Sequence, residues 1–212
     1  NEVFIDSATL RENVVSLARN IGYVPVSRRA AVTDISFSVD ASNTTAVTLT
    51  LKAGIVLVTA GTFGKTTYTF AIPDDITVPV TSTGIAYFEN VKAYEGTFIN
   101  QTFTVSSRNP NQRFILPNAG IDTNLIRVIV KDSESSSVRD KYQMFDSLFQ
   151  VEKDSMIYFL QEVDNERYEI LFGDGIFGKK VEEPNYIEVS YITSSGADGN
   201  GLSNFTYAGR IV

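Results

Sequence analysis

The spacing of hydrophobic positions changes once along this chain. Leu10, Val14, Leu17 and Ile21 fall at i, i+4, i+7 and i+11, which draws one apolar stripe along an α-helix. Thr9 and Glu12 form a T-x-x-E capping box, with Asp6 or Ser7 able to cap one turn earlier. Arg19 suits the last turn, Gly22 the left-handed stop, and Pro25 bars continuation. The pattern predicts an N-terminal helix whose stripe packs on the following sheet or on another subunit.

From Ala31 onward the period is two. Ile35, Phe37 and Val39 oppose Asp34, Ser36 and Ser38, and Val47, Leu49 and Leu51 oppose Thr48, Thr50 and Lys52. With a polar turn around Asn43 between them, the two runs predict an antiparallel hairpin. Further strands are expected around 56–58, 68–72, 76–80, 85–94 and 96–106, punctuated by Gly54, Gly61, Gly64 and the turn Pro73-Asp74-Asp75. SSRNPN at 106–111 is the first long polar break. After it the pattern restarts at 114–117 and continues through 125–130, 138–144, 156–163, 168–172, 186–192 and 205–208, with Asp164-Asn165 as a hairpin turn lacking the usual glycine. The expected architecture is mainly β. A helix and linker (1–30) precede a first antiparallel, sandwich- or barrel-like unit (31–106 with 194–212), and a second β unit (107–193) is inserted into it.

The densest signal lies between Glu166 and Gly201. Tyr168, Ile170 and Phe172 share one face of a strand, with Arg167, Glu169 and Leu171 on the other; Ile187, Val189 and Tyr191 repeat the alternation. Between these strands, Gly173-Asp174-Gly175-Ile176-Phe177-Gly178 matches G-x-G-x-x-G. A dinucleotide site also needs a helix to open at the last glycine. Here Pro184 arrives six residues after Gly178 and a strand begins at Tyr186. The motif therefore reads as a structural turn, with Phe177 plugging the loop onto the sheet and Lys179 and Lys180 facing solvent or a partner. A second cluster, Gly196-Ala197-Asp198-Gly199-Asn200-Gly201, alternates glycine with oxygen-bearing residues, as a calcium loop does. Calcium takes six to eight oxygens, usually with a downstream carboxylate, and no acidic residue follows Asp198. It too reads as a turn.

Composition narrows the chemistry. The 212 residues include neither Cys nor His, which excludes disulfides, thiolate sites and a Ser-His-Asp arrangement built from this chain alone. A net charge of −7, with Arg28–Arg29 and Lys179–Lys180 as isolated pairs, argues against nucleic acid. No run approaches the roughly 20 apolar residues that cross a membrane as a helix. Glu162, Asp164, Glu166, Glu169 and Asp174 cluster in sequence, which would suit carboxylate catalysis if they converged on a cleft; on hairpin edges a solvated face is the default. Tyr87, Tyr94, Tyr142 and Tyr207 are expected at a surface available to a partner. Asn43, Asn100 and Asn204 match the glycosylation pattern, which matters only in a secreted protein. The start at Asn1 and the end at Arg210-Ile211-Val212 lead to the expectation of a piece of a longer polypeptide.

Three segments carry a family resemblance. YEILFGDGIFGKK (168–180) followed by ITSSGADGNG (192–201), preceded far upstream by LRENVVSLARNIGYVPVSRRAA (10–31), resembles the baseplate J-like proteins of contractile phage tails, and among them the T4-type baseplate wedge subunits. The matching stretches are Leu10–Pro25, Gly173–Gly178 and Gly196–Gly201. The resemblance implies a structural subunit, not an enzyme, that pairs with another copy of itself and with other wedge proteins. Wedges of that kind ring a central hub, and their rearrangement is linked to sheath contraction. It further implies a virion tail location after assembly in the host cytoplasm, with no cofactor, metal, nucleic acid, membrane or small-molecule substrate. Structural turns and interface are then expected at Leu10, Val14, Leu17, Ile21, Tyr23, Gly173, Asp174, Gly175, Phe177, Gly178, Gly196, Asp198, Asn200 and Gly201. The chain departs from the pattern in length, as an internal fragment would. A receptor- or glycan-binding β module of a phage tail is the alternative, against which stands the lack of Trp.

Overall fold

The computed structural model describes residues 27–59, 67–145 and 151–212. The predicted helix, with Leu10, Val14, Leu17, Ile21 and Tyr23, lies outside the described residues. Among those described the chain is mainly β, with short 3₁₀ turns and no α-helix. Fourteen strands follow in order: β1 (Val32–Asp40), β2 (Thr48–Leu51), β3 (Gly54–Thr59), β4 (Thr69–Ile72), β5 (Ile76–Pro79), β6 (Ile85–Glu95), β7 (Thr97–Thr104), β8 (Phe114–Ile115), β9 (Arg127–Lys131), β10 (Asp140–Met144), β11 (Ile157–Val163), β12 (Arg167–Phe172), β13 (Tyr186–Thr193) and β14 (Phe205–Tyr207). Among the described residues the chain divides into two compact units, one within 29–100, 122–127 and 190–212, the other within 27–28, 101–121 and 128–189.

In the first of these units a five-stranded sheet runs β1-β6-β4-β3-β14, and β2 pairs with β5 in a separate two-stranded sheet. The expected β1–β2 hairpin does not form. β1 pairs antiparallel with β6, and β2 with β5 in the register Leu49↔Val78 and Leu51↔Ile76. Adjacent alternating runs need not pair with each other, because period two fixes which face is buried and not which strand lies alongside. The C-terminal residues extend the small sheet: Thr50 N–H donates to Val212 O at 2.8 Å and Lys52 N–H to Arg210 O at 2.9 Å. One core draws on both sheets, with Leu51, Val56, Phe70, Ile72, Phe88 and Ala93 buried in it and Phe37 stacked on Phe88 at 4.9 Å. The opposite face of β4 is covered as well. Ala71 packs there with Leu125 and Ile192, and the segment carrying Leu125 is tied down by Asp122, whose carboxylate accepts from Ala30 N and Asn124 N.

A bulge in β6 decides which side chains face that core. Ile35 pairs with Val91 and Phe37 with Phe88, so Glu89 and Asn90 together oppose Ser36. Asn90 sits at φ 53° and donates its N–H to Ser36 Oγ at 3.0 Å. The extra residue shifts the alternation by one. Ala86 and Phe88 point inward before the bulge; Val91, Ala93 and Glu95 do so after it.

The other unit is built on a seven-stranded sheet, β7-β13-β9-β10-β11-β12-β8. It is not wholly antiparallel: β10 and β11 run parallel at Gln143↔Ile157 and Met144↔Tyr158. Rings fill it, in edge-on contact from Phe103 to Phe114 (5.6 Å), Phe114 to Phe172 (5.6 Å) and Phe172 to Tyr142 (5.5 Å). Tyr142 is thus buried, not offered to a partner as expected from the sequence, and burial pushes its phenol up to about 12. Tyr94 also packs against core, whereas Tyr87 and Tyr207 are exposed. The β11–β12 hairpin turns on Asp164, Asn165 and Glu166, with Asn165 and Glu166 supplying the positive φ that glycine usually supplies.

Phe88 is fully buried, so Phe88→Ala is expected to cost about 3–5 kcal/mol, whereas Val47→Ala at an exposed position should change stability by less than about 0.5 kcal/mol. Urea unfolding of both variants checks the difference.

Candidate functional site

The two glycine clusters form two separate constellations. After β12 the chain turns back on itself: a Cβ at Gly173 would lie 2.3 Å from the Gly178 carbonyl group, so only glycine permits the crossing. Asp174 Oδ1 accepts the amide protons of Ile176 (2.9 Å) and Phe177 (2.8 Å), and these donors, Phe177 foremost, hold its carboxyl below the usual range. Gly175 N–H donates to Gly178 O, and Gly178 N–H to Glu152 O. Both glycines take positive φ. Phe177 meets Phe145 and Phe159 at ring distances of 5.7 and 6.1 Å, which seats the loop on the sheet. Ile176 is left at the tip, 83% exposed. Of the two lysines that follow, Lys180 is exposed, while Lys179 is spoken for by Asp140 at 3.2 Å.

The loop has no helix at Gly178, and the amides of Gly175, Ile176, Phe177 and Gly178 are engaged by the Asp174 carboxylate, the Gly178 carbonyl and the Glu152 carbonyl. A phosphate cradle needs those amides free and convergent. What the loop presents outward is an apolar tip beside a cation.

The second constellation centres on a residue that neither motif contains. Gly196–Gly199 is a single 3₁₀ turn, with Gly196 and Gly201 at positive φ, Asn200 N–H closing onto Ala197 O, and Asp198 and Asn200 exposed. The turn wraps the side chain of Glu95: a Cβ at Gly199 would lie 2.5 Å from Glu95 Cγ. Ser194 Oγ donates to Glu95 Oε2 at 2.7 Å, Ser195 N–H donates to the same oxygen at 3.1 Å, and Gly196 N–H donates to Ser194 Oγ. Glu95 is 2% exposed. Its carboxylate closes the floor of a recess of about 250 Å³ whose walls are Thr67, Tyr68, Thr69, Gly96, Thr97, Thr193, Ser194 and Ser195.

Glu95 was legible in part. The inward run Val91, Ala93, Glu95 places an acid where a hydrophobe belongs, but that run emerges only once the bulge at Asn90 is known.

Three of the acids expected to cluster are committed locally. Glu169 is buried and gripped by Arg113, Nε to Oε1 at 2.9 Å and Nη2 to Oε2 at 2.6 Å. Asp174 caps its own loop, and Glu166 lies 3.6 Å from Arg28 across a solvent-exposed pair. Among the described residues no three acidic side chains stand close enough together to hold a metal ion.

Comparison with known proteins adds one similarity. No protein-family model matches the chain. It is similar to the baseplate wedge protein gp6 of Enterobacteria phage T4, at 27% identity over 223 residues that cover 98% of this chain and 32% of that protein. The chain therefore spans about a third of that relative's length. The aligned stretch extends over both β units.

Two outcomes follow from this geometry. Gly199→Ala must displace the Glu95 side chain, and is expected to lower stability by about 1–3 kcal/mol in thermal or urea unfolding. The hydrogen bonds from Arg113 hold the Glu169 carboxyl below its ordinary 4.5. A depressed native value gives stability that is complete above the unfolded value and lost as pH falls through the native one. Arg113→Ala should therefore lower stability near neutral pH and flatten its decline below about pH 4.5; urea titrations at a series of pH values measure both effects.

Proposed function

We propose that this chain is part of a structural subunit of a contractile phage tail baseplate, a wedge component of the gp6 type, acting by assembly and not by catalysis. The observation that carries this reading is the similarity to the T4 wedge protein across nearly the whole chain. The local chemistry supports it. The chain has no histidine or cysteine, and the carboxylates that might have served an active site are spent on ion pairs and turn capping.

In this reading the residues 107–193 are an insertion within a first β domain made of 31–106 and 194–212, and the sandwich-like units act as rigid spacers in the wedge. Both glycine clusters hold loops in shape for neighbours. Ile176, exposed on a loop stiffened by Asp174 and Phe177, suits a contact that forms without an ordering penalty. The apolar residues Leu10, Val14, Leu17 and Ile21 serve to dock on an adjoining wedge chain. Partners are a second copy of the chain and other wedge proteins, in the virion tail, after assembly in the host cytoplasm.

The test is to mix the full-length protein that carries this segment with the wedge proteins of the same phage and follow the mixture by sedimentation. Co-sedimentation as a defined complex is expected, with Ile176→Asp reducing its yield at least tenfold while unfolding behaviour stays unchanged. A full-length protein that stays monomeric with every wedge protein, but binds surface glycans on an array, would overturn the proposal in favour of a receptor-binding module.

A further inference from the structure

We propose that the recess over Glu95 is a socket for the guanidinium group of an arginine presented by a partner chain; as a contact in an assembly, this rests on the wedge reading above. The Glu95 carboxylate is almost wholly buried, yet its Oε2 alone is occupied, by Ser194 Oγ and Ser195 N–H. Its Oε1 accepts no hydrogen bond from the described residues, and none of the lysines and arginines among them forms an ion pair with Glu95. A buried carboxylate without a counter-charge is costly and is normally paired. Among the described residues the other buried acids have both oxygens engaged: Glu169 by Arg113, and Asp122 by one backbone donor on each oxygen. Glu95 differs in that both of its donors share Oε2.

The walls indicate what fits. Hydroxyl-bearing residues predominate among those that line the recess, with Thr67, Thr69, Thr97, Thr193, Ser194 and Ser195. Thr69 Oγ donates to Gly96 O at 2.7 Å. The site thus offers one carboxylate with an oxygen to spare, which calls for a cation that carries N–H donors. Guanidinium brings five donors in a planar fork, against three on a more strongly hydrated ammonium. Tyr68 also lines the recess. A divalent metal is a poorer fit, since one carboxylate is all the charge supplied and no acidic triad stands near it among the described residues.

The cradle is specified by the second glycine cluster. Gly199 gives way to Glu95 Cγ, and Gly196 N–H aims the serine that donates to the carboxylate. Reading those glycines as a turn explains their backbone; the socket explains why the turn closes over an acid.

The experiment is an amide NMR titration of the ¹⁵N-labelled 212-residue chain with N-acetyl-arginine methylamide, and with the citrulline analogue as the neutral control. Saturable shifts at Gly96, Ser194 and Ser195 are expected with arginine only, weakened at least tenfold in Glu95→Gln. Should that variant unfold, Thr97→Arg, which places a guanidinium at the exposed rim, is expected to fold and to block the added arginine. Equal shifts with citrulline, no shifts at all, or the same shifts from calcium chloride would overturn the socket. Arginine binding together with failed wedge assembly counts against the wedge reading and leaves the socket standing. Assembly without arginine binding does the reverse.

Discussion

The unit made of 29–100, 122–127 and 190–212 depends on β6 and on the single residue by which it breaks step. This strand pairs with β1 along one side and with β4 on the other, so its register governs most of the five-stranded sheet. Had β6 run without a bulge, the positions after Asn90 would have kept the parity of Ala86 and Phe88. Lys92 and Tyr94 would then face this core, and Ala93 and Glu95 the opposite face of the sheet. The left-handed Asn90, held by Ser36, reverses that assignment. A side chain able to bond locally tolerates this conformation at small cost. One extra residue therefore buries two small hydrophobes and carries an acid inward with them.

That buried acid organises the chain at its far end. Ser194, Ser195, Gly196 and Gly199 are distant from Glu95 in sequence, yet each touches it or positions a group that does. Carboxylate burial and glycine placement are thus one constraint seen from two sides: the acid needs donors, and the donors come from a loop that must pass within a methyl group's distance. The loop at 173–178 obeys a different rule. There the carboxylate of Asp174 satisfies its own backbone, the glycines let the chain cross itself, and Phe177 anchors the result. Similar motifs in the sequence are therefore built by unlike physics, one by long-range capture and one by self-closure.

Charge elsewhere is arranged for order more than for strength. Glu188 takes both Lys131 and Arg139, Asp74 takes Arg127, and Asp75 takes Lys52. Most of these partners are half-exposed, where screening leaves such pairs worth little. Glu169 is the exception, because its own side of the pair is shut off from water. The acidic run that looked like candidate chemistry in the sequence resolves into one buried structural pair and several surface contacts.

Strand positions were readable from period two nearly everywhere, because half-buried strands must alternate. The hairpin turn at Asp164–Glu166 was readable without glycine, since Asn favours the left-handed region. Strand partners were not: β1 and β2 adjoin in sequence and pair elsewhere, and β10 lies parallel to β11. Alternation states which face meets the core but carries no information about which edge meets which. For the same reason, Tyr142 has the look of an interface residue in the sequence and packs edge-on against Phe172 in the fold. The sequence by itself determined the chemistry this chain can hold, through its missing histidine and cysteine and through glycines placed where side chains would collide. Only the tertiary structure decided that Glu95 is buried, because that follows from a bulge formed between strands about fifty residues apart.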